Sequence, residues 1–428
     1  MVFGGSPLRV IRLSGRGEAL IREWREGAAV GESLAERQLA RRLTDAGLAH
    51  PEPPAAGDPE RLTVVVPVRD RAAELARCLG ALGRRCPIVV VDDGSRDAAA
   101  IDTVAHAAGA RVVRFEQGRG PSAARNAGLR ATGTPFVAFV DSDCVVGPNF
   151  PGRLLDHLGD PAVAIAVPRI VALDGGPANA LARYEARRSA LDMGEREGLV
   201  RPNSPVPYAP SAAMVARVAA LGPGFTEDLG IGEDVDLIWR LTDAGWRARY
   251  DPSITVAHDH RATWRRWFAR RVVYDTSSAK LARRHPDKMR AVTLTRGGAA
   301  FWTALVLGRP GVAAAAHVLD VAALARTLRR RVSEPWIVAS RLTAEGRVHE
   351  GRQVARTLVG PWLPFLLAAT AARPRVTRRL WAGLAVAALP DRRELGPRAA
   401  DDLARCVGTW LGCAQERSLG ALLPRLRR

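Results

Sequence analysis

The sequence predicts an α/β fold on a doubly wound, mainly parallel sheet, and three observations predict it. Between residues 61 and 143, short apolar runs alternate with helical stretches, as in consecutive βαβ units. The runs are apolar at almost every position rather than every second one, which fits strands covered on both faces. Acidic residues gather just past the ends of two runs, at the carboxyl edge where such sheets bind ligands.

The elements follow in order. Leu62-Thr63-Val64-Val65-Val66-Pro67 reads as the first buried strand and 72–82 as the helix after it. Pro87 opens a second strand, Ile88 to Val91, that ends in Asp92-Asp93-Gly94-Ser95. A helix over 98–108, a strand over 111–115 and a helix over 122–131 lead to Phe136-Val137-Ala138-Phe139-Val140, a strand that ends in Asp141-Ser142-Asp143. Further on, the turn Gly230-Ile231-Gly232 enters a helix beginning Glu233-Asp234-Val235-Asp236, and Ile254 to Ala257 forms a strand closed by His258.

Residues 51–60 form a Pro/Gly/acidic stretch without periodicity and read as a linker. The unit before it, 1–50, holds a strand over 8–13, a helix over 18–24 and a helix over 34–48 that Gly47 ends. The expected organisation is therefore 1–50, the linker 51–60, the α/β domain 61–262, and a mainly helical region 263–428. Residues 1–20 carry charges and no apolar core, so no secretory leader is expected.

Apolar residues make up 47% of the 428, which excludes global disorder. Five cysteines, odd in number and without a C-x-x-C pair, argue against a disulfide framework or zinc ribbon. The net charge of +19 is unevenly placed: residues 1–260 carry −2 and residues 261–428 carry +21. That asymmetry points to an anionic partner for the last part alone. An anionic membrane surface is the expected one. Trp264, Trp267 and Phe268 fall on one helical face beside arginines, and short apolar runs occupy 359–372 and 380–390. No run reaches the length of an uninterrupted spanning helix. No interleaved aromatic–basic platform supports nucleic acid as the partner.

Three motifs carry chemistry. Asp141 and Asp143, two residues apart beyond a buried strand, can share a hard divalent cation, Mg²⁺ or Mn²⁺, with a substrate diphosphate. The acids after the second strand can accept the N–H of a nucleobase, while Ser95 or Asp97 can cap the next helix. Glu233, Asp234 and Asp236 put three acids in four residues at a helix start, more than the helix dipole calls for, and a carboxylate there can serve as general base.

In order and spacing, VVVPVRD, VVDDGS, GPSAARNAGL, FVDSD and GEDVDL resemble the family 2 glycosyltransferases with the GT-A fold, over about residues 61–260. The resemblance implies a donor nucleotide held by Pro67, Arg69, Asp93, Arg125 and Asp141. It implies a divalent metal on Asp143 and Asp141, with His258 a third ligand for which His260 competes. Asp234 would be the base of an inverting displacement, with Glu233 orienting the acceptor. Ser211 and Ala212, within VPYAPSAA, match the element near the transferred sugar. Processive members carry Q-x-x-R-W near the acceptor; Thr263-Trp264-Arg265-Arg266-Trp267 has Thr for Gln but keeps Arg266 and Trp267, which implies addition of one or a few sugars.

The N-terminal GGSPLRVIRLS, ARRLTDAGLAHP and the stretch HDHRATWRRWFARRVVYDTSSAKLARRHP are similar to the mycofactocin-system glycosyltransferases. That similarity implies a winged-helix-like peptide-recognition unit at the start, which this chain enters late, without its first strands. It also implies transfer of glucose from UDP-glucose, in β-linkage, to a redox-cofactor precursor derived from a ribosomal peptide. The site of action would be the cytoplasm at the inner face of the membrane. The rival readings are a family 2 transferase for a lipid or cell-envelope glycan, and a non-catalytic nucleic-acid-binding scaffold that has no need of the carboxylates.

Overall fold

The structure is a computed structural model that describes residues 2–5, 9–55, 57–173, 179–202, 204–259, 263–388 and 394–427. His260 lies outside the described residues. The chain divides into two compact units, Val2–Ala262 and Thr263–Arg428.

The first unit is built on one mixed sheet. β3 (Leu62–Val68), β4 (Ile88–Asp92), β5 (Arg111–Arg114) and β6 (Phe136–Val140) pair in parallel in the order β5-β4-β3-β6, linked by α3 (Ala72–Leu82), α4 (Ala98–Ala107) and α5 (Pro121–Arg130). Every residue of β3, β4 and β6 is buried, which is why these runs show no alternation. β10 (Ala213–Arg217) then runs antiparallel between β6 and β8 (Val163–Ala172). β11 (Arg247–His258) pairs in parallel with β8, antiparallel with the short β9 (Gly198–Leu199), and carries β7 (Cys144–Val146) on its far side; α6 (Gly152–His157), α7 (Ala180–Arg188) and α8 (Val218–Leu221) lie between these strands in the chain. β11 is much longer than the expected 254–257, because Arg247, Arg249 and Asp251 hide its first half from an apolar pattern.

The first fifty residues belong to this same unit. β1 (Val2–Gly4) and β2 (Arg9–Ile11) form an antiparallel ribbon, and α1 (Gly15–Arg25) and α2 (Leu34–Asp45) follow, capped by Ser14 and Ser33. Ile11, Leu43 and Ala46 form their small core. Two bidentate ion pairs fasten α2 to the sheet: Arg41 on Asp160 at 2.7 and 2.9 Å, and Arg247 on Asp45 at 2.5 and 2.8 Å. The 51–60 stretch is held as well, since the Gly57 N–H donates to Asp156 at 2.6 Å.

The second unit is helical. α10 (Trp264–Arg284) and α16 (Leu395–Gln415) lie backbone against backbone: a Cβ on Gly408 would meet the Val272 carbonyl oxygen at 2.4 Å, and one on Gly412 the Thr276 oxygen at 2.3 Å. Between them come α11 (Arg296–Val306), α12 (Pro310–Leu328), α13 (Pro335–Val359), α14 (Leu363–Ala372) and α15 (Pro374–Ala388), and β12 (Val292–Thr295) pairs in parallel with β13 (Pro424–Arg427).

Two expectations change here. Trp264 is exposed, Trp267 buried and Phe268 half-buried, so the predicted aromatic face is not uniformly open. From sequence, the Ala-rich apolar stretch 297–328 is too interrupted, by Arg309, His317 and Asp320, to span a membrane, yet pairing absorbs two of these: Asp320 meets Arg347 of α13, and His317 packs against Phe301, ring centroids 6.1 Å apart. α12 is thus a continuous 19-residue helix, the one among the described residues with the length and composition to cross a bilayer by itself. It leaves Val312, Val318 and Leu319 exposed.

Candidate active site

The acids gather at the carboxyl edge of the parallel strands, each placed by a local device. Asp92 and Asp93 divide the work at the end of β4. Asp92, without exposed surface, accepts from the Ser95 N–H at 2.9 Å and from Arg114 at 3.0 Å. Asp93 accepts from the backbone N–H groups of Arg119 and Gly120, at 2.6 and 3.0 Å. The two loops meet so closely that a Cβ on Gly94 would lie 2.7 Å from the Gly118 nitrogen, and at φ +72° only glycine is relaxed there. Arg69, exposed at the end of β3, extends over Gly118, and Pro67 is buried beside Val91.

α5 shows why A-A-R-N-A-G carries so much. Gly128 fits against Val65 of β3, where a Cβ would stand 2.2 Å from a methyl group. Asn126 pins the loop of Phe225 from both sides, donating to its carbonyl and accepting its N–H at 2.8 Å each. Arg125, only 3% exposed, donates to Asp141 at 2.6 Å and to Glu233 at 3.0 Å, with its guanidinium over the Phe225 ring. Burial works against its charge, and Asp141 and Glu233 more than offset that, so its pKa is raised. Expected in the donor pocket, Arg125 is found as a buried strut between two acid motifs.

Asp141 and Asp143 stand at the end of β6. The Asp141 N–H donates to the Ala212 carbonyl at 2.9 Å. Asp143 takes an ion pair from Arg71 and lies 3.5 Å from His258 Nε2. The β7–β11 pairing, with His258 opposite Cys144, sets that approach. Burial opposes ionisation of Asp143, but His258 and Arg71 prevail and hold its carboxyl below the usual range.

The three acids opening α9 (Glu233–Asp243) have three fates. Glu233 is buried on Arg125. Asp236, fully buried, accepts from Thr226 Oγ1 at 2.7 Å and Arg240 at 2.9 Å. Asp234 accepts only backbone N–H groups among its described bonds, from Ser211 at 3.1 Å and Val235 at 2.7 Å. Burial pushes the Asp234 carboxyl up to about 7, and the charge of Glu233 adds to it. A carboxylate poised there is suited to take a proton near neutral pH. Ser211 and Ala212 therefore form a bridge: Ser211 on Asp234, Ala212 on Asp141.

The structure thus brings together Asp141, Asp143, His258, Arg125, Glu233, Asp234, Ser211 and Ala212, with Pro67, Arg69 and Asp93 along the same sheet edge. Arg266 and Trp267 lie on α10 in the second unit, Arg266 exposed and Trp267 buried with Arg271 over its ring. The residue that the motifs did not single out is Arg71. It stands in V-P-V-R-D-R, but no linear spacing connects it to Asp143. Among the described residues no three His, Cys, Asp or Glu side chains converge on one point. The pair Asp143–His258 fits a Mg²⁺- or Mn²⁺-type ion that completes its shell with substrate phosphates.

Comparison with known proteins decides the family. The model "Glycosyl transferase family 2" matches residues 63–221. The pre-mycofactocin glycosyltransferase of Mycobacterium tuberculosis is 38% identical over 448 aligned positions, covering 100% of this chain and 94% of that protein. The chain belongs to the pre-mycofactocin glycosyltransferases. Its mixed sheet is GT-A-like, and the protein is a family 2 glycosyltransferase. Succinoglycan biosynthesis protein ExoU of Rhizobium meliloti is 29% identical, over 46% of this glycosyltransferase and 60% of its own length. A mannosyltransferase from Pyrobaculum calidifontis, solved with GDP-Man and Mn²⁺, aligns over 92% of this chain and 97% of its own at 20% identity and a TM-score of 0.47, too distant to assign donor or metal.

Proposed function

We propose that this glycosyltransferase moves glucose from UDP-glucose, with inversion, to the peptide-derived mycofactocin precursor, adding one or a few β-linked sugars. The carrying observation is Asp234: a carboxylate raised to about 7 and joined through Ser211 and Ala212 to the Asp141 side of the donor site. In this reading Asp234 takes the acceptor hydroxyl proton as the oxygen attacks the anomeric carbon, and UDP leaves on the opposite face. Glu233, fixed by Arg125, keeps Asp234 basic and orients the acceptor. Asp93, Pro67 and Arg69 hold the nucleotide, and Asp141 the ribose side. Asp143 and His258, with Asp141 on the same strand end, would hold a divalent cation, and such a cation would supply positive charge against the diphosphate. The N-terminal ribbon and helices form the peptide-recognition unit.

The place of action in this reading is the inner face of an anionic membrane. The +21 charge of residues 261–428, Arg329-Arg330-Arg331 after α12, and the exposed Val312, Val318, Leu319, Trp336 and Ile337 support it.

The test is incubation of the purified full chain with a panel of UDP-sugars and the oxidised and reduced peptide-derived acceptor, read by mass spectrometry. Hexose addition from UDP-glucose alone is expected. Transfer only to lipid or envelope-glycan acceptors would replace the acceptor assignment.

A further inference from the structure

Two arginines neutralise the Asp141-Ser142-Asp143 motif, and they differ in kind. Arg125 is held at both ends and under an aromatic ring, with 3% of its side chain exposed. Arg71 has 35% of its side chain exposed, and its ion-pair partner is Asp143. It occupies the N-cap position of α3 without making a capping bond. It stands at the end of β3, on the sheet edge that also carries Arg69 and, beyond β4, Asp93.

We propose that Arg71 is a two-position switch of the donor site: its guanidinium occupies Asp143 when no cation is bound, and passes to the donor's diphosphate when a divalent cation takes that carboxylate. The inference rests on the reading of Asp143 as a metal ligand. The argument is one of charge. Asp143 beside Arg71 is already neutralised, and a divalent cation placed there meets a guanidinium at close range, so one positive group must leave. Arg125 cannot leave without stranding buried Glu233. Arg71 can, because it is partly exposed and has no second acidic partner among its described ion pairs. The nucleotide brings the replacement: a diphosphate arrives with the cation and offers oxygens in the planar geometry a guanidinium fork accepts. Metal alone then binds weakly, metal with nucleotide binds well, and the site is not left holding a cation between turnovers.

The experiment is Mn²⁺ binding to the full chain, followed by the electron paramagnetic resonance of free Mn²⁺, without and with UDP. Arg71→Met is expected to bind Mn²⁺ alone about tenfold more tightly than the wild type, and UDP at saturating Mn²⁺ about tenfold more weakly, the scale of one charged hydrogen bond. Arg71→Lys keeps the competing charge and is expected to bind Mn²⁺ alone as the wild type does. Arg71→Gln repeats the measurement should the Met variant melt early. Mn²⁺ affinity without UDP that is unchanged or weaker in both neutral variants overturns the switch while leaving the metal site standing. A wild type that binds no Mn²⁺ even with UDP overturns the metal assignment and the switch with it.

Discussion

Replacing Asp234 by Asn removes the proton acceptor and one of its two backbone bonds. Ser211 and Val235 donate to different carboxylate oxygens, at 3.1 and 2.7 Å, and the amide oxygen can accept from only one of them. UDP binding should stay within roughly twofold, whereas kcat should fall by roughly 10²–10⁴, the range for a lost general base. The wild-type kcat should rise with pH to a midpoint at about 7 and then level, and the variant should lose that limb. Stability moves with it, and its sign is fixed. The folded carboxyl titrates at about 7, above its unfolded value near 3.8, so the fold favours the protonated form. That contribution is whole below pH ~4 and is lost as pH rises through 7. The difference between about 7 and 3.8 sets a ceiling of ~4 kcal/mol, and because Asp234 is half-buried we expect ~1–2 kcal/mol. The melting point of the Asn variant should therefore rise relative to that of the wild type between pH 4 and pH 8. Steady-state kinetics across pH 5–9, with melting curves at both ends, decide the matter. A wild-type profile flat through 7, or a variant that keeps kcat and loses UDP affinity, refutes the base assignment.

Asp143→Ala should abolish Mn²⁺-dependent UDP binding while the protein melts normally, as read by calorimetric titration; full wild-type turnover in EDTA would contradict the metal. Gly412→Val should destabilise the second unit by ~2–3 kcal/mol in urea, because its side chain collides with the Thr276 carbonyl of α10. Gly383→Ala in α15, with nothing within 4 Å of its new methyl, should instead gain ~0.5–1 kcal/mol. The protein should sediment with anionic liposomes at low salt and not with neutral ones; absence from both pellets at every salt concentration would refute membrane docking.

The parallel half of the sheet was legible because its physics is local. Strands buried on both faces must be apolar throughout, and they end where Asp, Gly or Pro begins. Leu62–Val68, Ile88–Asp92 and Phe136–Val140 accordingly fall within a residue or so of their expected bounds. The first half of β11 was not legible, since Arg247 and Asp251 are there to meet Asp45 and His157, partners 202 and 94 residues away. In the site, the acids could be found from strand ends and spacing. Their partners could not: Arg125 reads as an ordinary helical arginine until Glu233 is seen 108 residues on, and Arg71 until Asp143 is seen 72 residues on. Likewise 51–60 reads as a free tether, and only the Gly57–Asp156 bond shows it fastened.

The pairing of β10 with β6 has a consequence for what the enzyme can accept. Ala213 lies opposite Val140, so Ala212 faces Asp141 and Ser211 holds Asp234. One strand register thus measures out the gap between Asp141 and Asp234, the acids proposed for the departing nucleotide and for the incoming hydroxyl. Register is a ruler marked only in whole residues, about 3.4 Å apart, and a slip of one mark would also turn every side chain of β10 to the opposite face. The gap is therefore fixed in steps too coarse for fine adjustment. Descendants of this chain that take a larger acceptor or another sugar must find the room in the loops around the ruler, leaving its marks where they are.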